Sequence, residues 1–337
     1  MPICTTCTHP TAYLYTVYES EYNLRLEQCQ AAECNEFVDP YVEHDSLTIL
    51  LDLFLLKRGV YRHLLYNRGA APRRLTGRKA TPTSSDLKAP NDAEDDKHLN
   101  KSNVEIDRWL LVLQLGVALI FVDAFIRWSH LNAKEPTVET PWTKQTLLAF
   151  LRVFLGTTAE TIAFHGGITL TCYIVMKFID SFQRIFRAST PRSSIRQQFH
   201  LSLISLSLFY SSLTKLFLLF LLTIWLPTPT STSATPQASN PLPGWAELLA
   251  RNESNHLISA LGILDDDKLD REWIVRNVLG GMSAGFGLRV ILDIHPLFTT
   301  VVILAGWAAK TTVATLVSKW VGQDELAREA WLAYSIP

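Results

Sequence analysis

The sequence predicts a small N-terminal zinc ribbon of β type joined to an α-helical multi-span membrane domain of four transmembrane helices, and three observations carry that reading. Four of the five cysteines form two close pairs near the N-terminus, Cys4 with Cys7 and Cys29 with Cys34. Beyond them the apolar residues are clumped into segments of about 20, the length a helix needs to cross a bilayer. Between the segments lie stretches rich in Pro, Ser, Thr and charge, which bury too little apolar surface to order themselves. At 337 residues there is room for two domains. The formal net charge of −1 gives no electrostatic case for a nucleic-acid partner.

Two close thiol pairs separated by strand-forming residues match the spacing of a four-thiolate zinc site. Each pair lets one tight turn present two sulfurs at about 2.3 Å from the metal. Residues 12–18 are aromatic and β-branched and residues 23–26 follow suit, so both suit strands. Two disulfides are the alternative. With no signal peptide before Met1, this end is expected in the reducing cytosol, where metal sites are favoured over disulfides. The expected cofactor is one structural zinc ion on Cys4, Cys7, Cys29 and Cys34, because four thiolates leave no open position for catalysis. His9 and His44 are read as neighbours of the site, and Cys172 as a small buried hydrophobe.

Cys4-x-x-Cys7 is followed by Asn23-Leu24-Arg25-Leu26 leading to Cys29. Then come Val38-Asp39-Pro40-Tyr41-Val42-Glu43-His44-Asp45 and Tyr61-Arg62-His63-Leu64-Leu65-Tyr66-Asn67. In that order these motifs resemble the Arv family over residues 1–67, and the multi-span remainder is similar in layout. The resemblance implies a membrane protein of the endoplasmic reticulum, with the Golgi as an alternative station. It also implies a part in sterol homeostasis and glycosylphosphatidylinositol (GPI) anchor synthesis. Its implied partners are membrane lipids (sterol and GPI precursors) and membrane proteins of GPI synthesis or sterol handling. One departure is plain: four residues separate Cys29 from Cys34 where the family usually has two, a spacing still within the range for zinc.

Taken in order, residues 47–56 form an apolar run too short to span, followed by Lys57, Arg58 and Arg62. Such a helix rests on the membrane surface, docks on the bundle or packs on the ribbon. Residues 61–67 are amphipathic without catalytic geometry. Residues 68–106 read as a flexible linker, with Arg73, Arg74, Arg78 and Lys79 in its basic half. The membrane domain, 107–337, has expected spans at 109–128, 156–178, 201–226 and 297–316, with 146–155 as an interfacial lead-in to the second. A disordered loop is expected at 227–243, then an acidic stretch at Asp265, Asp266 and Asp267. Gly280, Gly281, Gly285 and Gly287 interrupt residues 273–292, allowing close helix packing or a re-entrant turn. The tail is a short amphipathic helix.

Arg184, Arg187, Arg192 and Arg196 place the loop after the second span in the cytosol. Four spans then put both termini and the ribbon in the cytosol, and the sequon at Asn252 in the lumen as a glycosylation candidate. If the glycine-broken stretch also crosses, the C-terminus changes side.

Asp123, Glu160, His165 and Lys215 lie at membrane depth, where an ionisable side chain costs about 2.5–3.5 kcal/mol on insertion scales. They read as a cleft for a lipid headgroup, with Lys215 offered to phosphate or neutralised by Asp123 or Glu160; structural pairing is the alternative. The favoured function is a non-enzymatic transport factor or adaptor in lipid homeostasis. The alternative is a membrane-embedded lipid-modifying transferase using Glu160 and His165, which lie five residues apart and so off a common helical face. No nucleophile motif, metalloprotease motif or nucleotide-binding loop is present.

Overall fold

Strands form where the ribbon sequence alternates. In this computed structural model, which describes residues 1–18, 23–75, 90–132, 144–185, 195, 198–225, 274–322 and 325–335, β1 (Tyr15–Tyr18) pairs antiparallel with β2 (Leu24–Leu26). A third strand, β3 (Arg73–Leu75), joins the free edge of β1 in parallel, setting Thr16 opposite Arg73. β3 comes from the stretch read as linker: three residues suffice to satisfy an open edge, and their Arg-rich composition hides them. The loop expected at 227–243, the sequon at Asn252 and the acids at 265–267 lie outside the described residues.

α1 (Ser46–Phe54) turns at Leu56, held at a φ of 55°, into α2 (Arg58–Arg62), which runs on into a π-helical turn, His63–Asn67. Of the alternatives for this segment the structure takes docking on the bundle. Phe54 stacks on Phe217 at 4.2 Å, and the Thr214 hydroxyl donates to the Leu53 carbonyl at 3.4 Å. Tyr61, Leu65 and Tyr66 share a core with Leu203, Leu206 and Ile291, while Leu47, Leu50, Leu51 and Leu55 remain exposed.

The bundle comprises α3 (Pro90–Asn132), α4 (Lys144–Ile185), α5 (Leu201–Trp225), α6 (Gly280–Leu292), α7 (Pro296–Val321) and α8 (Glu325–Ser335). A π-helical segment, Ile274–Leu279, leads into α6. Among the described residues four helices are long and apolar enough to cross a membrane: Glu105–Ser129, Lys144–Phe182, Leu201–Leu222 and Pro296–Val321. α3 reaches back to Pro90, inside the stretch read as linker; proline at a helix start forfeits no intrahelical bond. α4 is continuous from Lys144, so the residues read as an interfacial lead-in belong to the crossing helix. The Gly166–Gly167 pair leaves it unbroken. A Cβ on Gly167 would sit 2.8 Å from the Ala309 Cβ, so this glycine serves close helix approach.

Contacts fix the direction of each helix. Glu105 accepts from the Ser202 hydroxyl at 2.8 Å and Gly116 faces Phe209, so α3 and α5 run parallel. α6 runs antiparallel to α5: Gly280 faces Lys215, Ser283 donates to the Ser211 carbonyl at 3.3 Å, and Gly287 faces Ser207. With its π-helical lead, residues 274–292 extend about 28 Å, close to the hydrocarbon thickness of a bilayer. α7 runs antiparallel to α4, with Val317 against Gly156 and Gly306 against Ile168.

The end of α7 therefore lies at the opposite end of the bundle from Leu201, the arrangement expected if the glycine-broken stretch also crosses. Residues 274–292 run antiparallel to α5 within the bundle. α6 buries Ala284, Leu288, Ile291 and Leu292 against its neighbours and leaves Met282 exposed. Beyond Val321, α8 folds back and inserts Trp331 beside Val153, Val317 and Gly156.

Candidate functional site

Two backbone turns aim four thiols at one point. Cys4 N–H donates to the His9 carbonyl and Thr8 N–H to the Cys4 carbonyl, both at 2.9 Å. Thr8 closes this loop in the left-handed region, at a φ of 68°. Cys29 N–H donates to the Glu36 carbonyl and Cys34 N–H to the Ala31 carbonyl, both at 3.0 Å. All four sulfurs lie within 4.8 Å of one another, with Cys4–Cys34 at 3.9 Å and Cys7–Cys29 at 3.4 Å. Tetrahedral zinc with bonds of about 2.3 Å sets its sulfurs about 3.8 Å apart, so the set fits a metal ion and is compatible with zinc. The wider Cys29–Cys34 loop does not prevent it. No pair is at disulfide distance, and all five cysteines are free thiols.

Burial pushes the Cys7 thiol up to about 12 and raises Cys29, whereas a backbone hydrogen bond at Glu36 lowers Cys34. Thiols of this kind give up their protons at neutral pH only to a strong Lewis acid. His44 packs edge-on against Tyr41 and takes no part in the cluster, and Cys172 is fully buried among apolar side chains.

A polar network ties this ribbon to α2. Arg62 Nη1 donates to the carbonyls of Thr5 and Thr6, each at 2.7 Å, holding the Cys4–Cys7 loop from its backbone. Asn67 accepts from Ile3 N–H at 2.8 Å and donates to the Ile3 carbonyl at 2.9 Å and to Asp39 at 2.7 Å. His63 Nδ1 meets the same Asp39 oxygen at 2.7 Å, and Tyr41 N–H caps the other at 3.1 Å. The 61–67 run is thus a clamp. Its amphipathic pattern was visible in the sequence, but its polar partners lie 24 to 64 residues away.

The second site lies in the half of the bundle remote from the ribbon, around a cavity of about 120 Å³. Arg127, itself 4 % exposed, holds Glu160 at 2.7 Å, Asp123 at 3.2 Å and the Ser335 hydroxyl at 3.0 Å. α8 closes over it: Arg127 lies over the rings of Trp331 and Tyr334, and Arg276 stacks on Tyr334 at 3.3 Å. Lys215 and Lys310 also line the cavity.

The structure therefore brings Asp123, Glu160, His165 and Lys215 to one cavity, with different pairings from those expected. Arg127 takes both carboxylates, and Lys215 makes no ion pair among the described residues. His165 packs edge-on against Phe209 at 4.4 Å and shares no hydrogen bond with Glu160. Sequence reading missed Arg127, Lys310, Arg276 and Asn277. The first two were findable: Arg127 stands one turn after Asp123, and Lys310 falls inside the expected fourth span. Arg276 and Asn277 were hidden in a stretch that reads as amphipathic and soluble.

The model of the Arv1-like family matches residues 3–238. The chain is 48% identical over 65 residues to Protein ARV1 of Saccharomyces cerevisiae, covering 19% of each chain. It is 44% identical over 68 residues to Protein arv1 homolog of Dictyostelium discoideum (20% of this chain, 27% of that one). With Protein ARV 2 of Arabidopsis thaliana it shares 45% over 64 residues (19% and 27%). These alignments span about a fifth to a quarter of the curated relatives' length. No solved structure matches.

Proposed function

This chain belongs to the Arv1-like family, and from that premise we propose that it is a membrane protein of the endoplasmic reticulum that serves lipid homeostasis. It assists sterol distribution and the transport or synthesis of GPI-anchor precursors, as a transport factor or adaptor. The observation that carries the reading is the charged cavity walled by α3, α4, α5, α6 and α7, since a headgroup drawn into a bilayer needs such a polar chamber. The metal of the four-thiolate site is zinc, in a structural role, and the ribbon faces the cytosol as a platform for protein partners. Arg184 near the end of α4, with Arg187, Arg192 and Arg196 following it in the sequence, supports that orientation.

The role is non-enzymatic. Glu160 is engaged by Arg127 and His165 packs on Phe209, and the absence of a hydrogen bond between these two lining residues supports that reading. Acute depletion of the protein, followed by pulse-labelling of GPI intermediates and mapping of sterol, tests the reading. Early GPI intermediates that fail to form or move, or sterol displaced at once, are the expected outcomes, and their order tells which lipid comes first. An unchanged profile of both overturns the proposal.

A further inference from the structure

We propose that the cavity bounded by Lys215, Lys310 and Asn277 binds the phosphate group of a lipid headgroup; this deepens the lipid-homeostasis reading and rests on it. Charge balance is the first argument. With Arg276, which stacks on Tyr334, left out of the count, Arg127, Lys215 and Lys310 face Asp123 and Glu160: three cations against two carboxylates. The two carboxylates are both engaged by Arg127, leaving Lys215 and Lys310 without an ion pair among the described residues. Unmatched charge at this depth is costly and is relieved by an anion of complementary charge.

The donor inventory is the second argument. Asn277 is 4 % exposed and its Nδ2 has no hydrogen-bond partner, and it lines the same cavity. It stands with Arg276 on the π-helical segment Ile274–Leu279, a distortion that in helices is often found at functional sites. Two ammonium groups and an amide N–H₂ are all donors, which suits the acceptor oxygens of a phosphate. Gly280 gives the Lys215 stem its place: a Cβ there would lie 3.3 Å from Lys215 Cδ. One oxygen each of Asp123 and Glu160 is buried without a partner, so capture of the lysines by these acids is the competing account.

Full-length protein in detergent is mixed with phosphatidic acid, with diacylglycerol of the same acyl chains, or with inorganic phosphate, and binding is read by native mass spectrometry. Phosphatidic acid should bind at least about tenfold more tightly than diacylglycerol. The double variant Lys215→Gln/Lys310→Gln should lose that preference, and Lys215→Arg/Lys310→Arg should retain it. Ligand-free melting is the second readout. The glutamine variant melts at or above the parent temperature if the lysines are unmatched; a lower melting temperature overturns the proposal in favour of fixed lysine–carboxylate pairs. Equal binding of the two lipids, or a preference that survives the glutamine variant, also overturns it. Inorganic phosphate binding as well as phosphatidic acid keeps the phosphate chemistry and overturns the lipid source. Phosphatidic acid binding with unchanged sterol and GPI profiles in depleted cells faults the functional reading alone.

Discussion

The ribbon junction and the bundle cavity are both built from buried polar residues, and they are solved in opposite ways. At the junction the ionic groups meet counterparts: Asp39 takes His63, Asn67 and Tyr41 N–H, while Arg62 Nη1 and Asn67 bond the backbone of Ile3, Thr5 and Thr6, although the Arg62 Nε has no hydrogen-bond partner. In the cavity one arginine takes two carboxylates, and the cations outnumber the acids. A closed network rigidifies and specifies. An open one retains free interaction energy, and that is the property of a binding site. Both regions place a π-helical turn under their polar residues, at His63–Asn67 and at Ile274–Leu279, so backbone distortion alone does not distinguish a clamp from a site.

The largest effect should come from the metal. Chelation, or Cys4→Ser, is expected to unfold the ribbon, because binding at a structural zinc site supplies about 10–16 kcal/mol of apparent folding energy in small zinc domains. Metal content together with limited proteolysis of residues 1–67 reads this out. A ribbon that stays protease-resistant without metal would mean that the junction network suffices to hold it. Metal affinity should also rise with pH. The Cys7 and Cys29 thiols have raised proton affinity, so protons compete with the metal and win progressively as pH falls. Competition titrations at two pH values on either side of neutrality check the sign.

Next in size is Arg127→Met. It strands two buried carboxylates and should cost about 3–5 kcal/mol, seen as a large drop in melting temperature. If the drop is small, the cavity is wetter than its burial implies and the contrast with the junction weakens. Asn67→Ala should cost less, about 1–3 kcal/mol, since it leaves the Ile3 backbone unpaired while Asp39 keeps its other donors. Its signature is loosening of the ribbon with the bundle intact, read by hydrogen exchange.

The smallest pair concerns glycine. A Cβ on Gly281 would lie 2.5 Å from Trp307 Cζ2, so Gly281→Ala should destabilise by about 1–3 kcal/mol. Gly166 has nothing within 4 Å of its Cβ position, so Gly166→Ala should be neutral or stabilising by up to about 1 kcal/mol. A reversed order would mean that the α6–α7 contact is not the close packing described.

The sequence by itself determined the thiolate site and four helices long and apolar enough to cross a membrane, because both follow local rules. Thiol spacing sets what two turns can present, and an apolar run of sufficient length marks a span wherever it packs. It also singled out Asp123, Glu160, His165 and Lys215, since a charge inside an apolar run stands out without any knowledge of its neighbours. Tertiary structure alone decided the rest. β3 had no signal of its own and exists because β1 has an edge to fill. The packing of residues 274–292 along α5 depends on glycines meeting Ser207 and Lys215 across the bundle, which no local pattern encodes. Which acid meets which base depended on distances between helices: Arg127 reaches Glu160 across 33 residues and Ser335 across 208, and Lys215 is left facing the cavity. Electrostatic pairing is a property of points in space, and nothing in the local sequence encodes it.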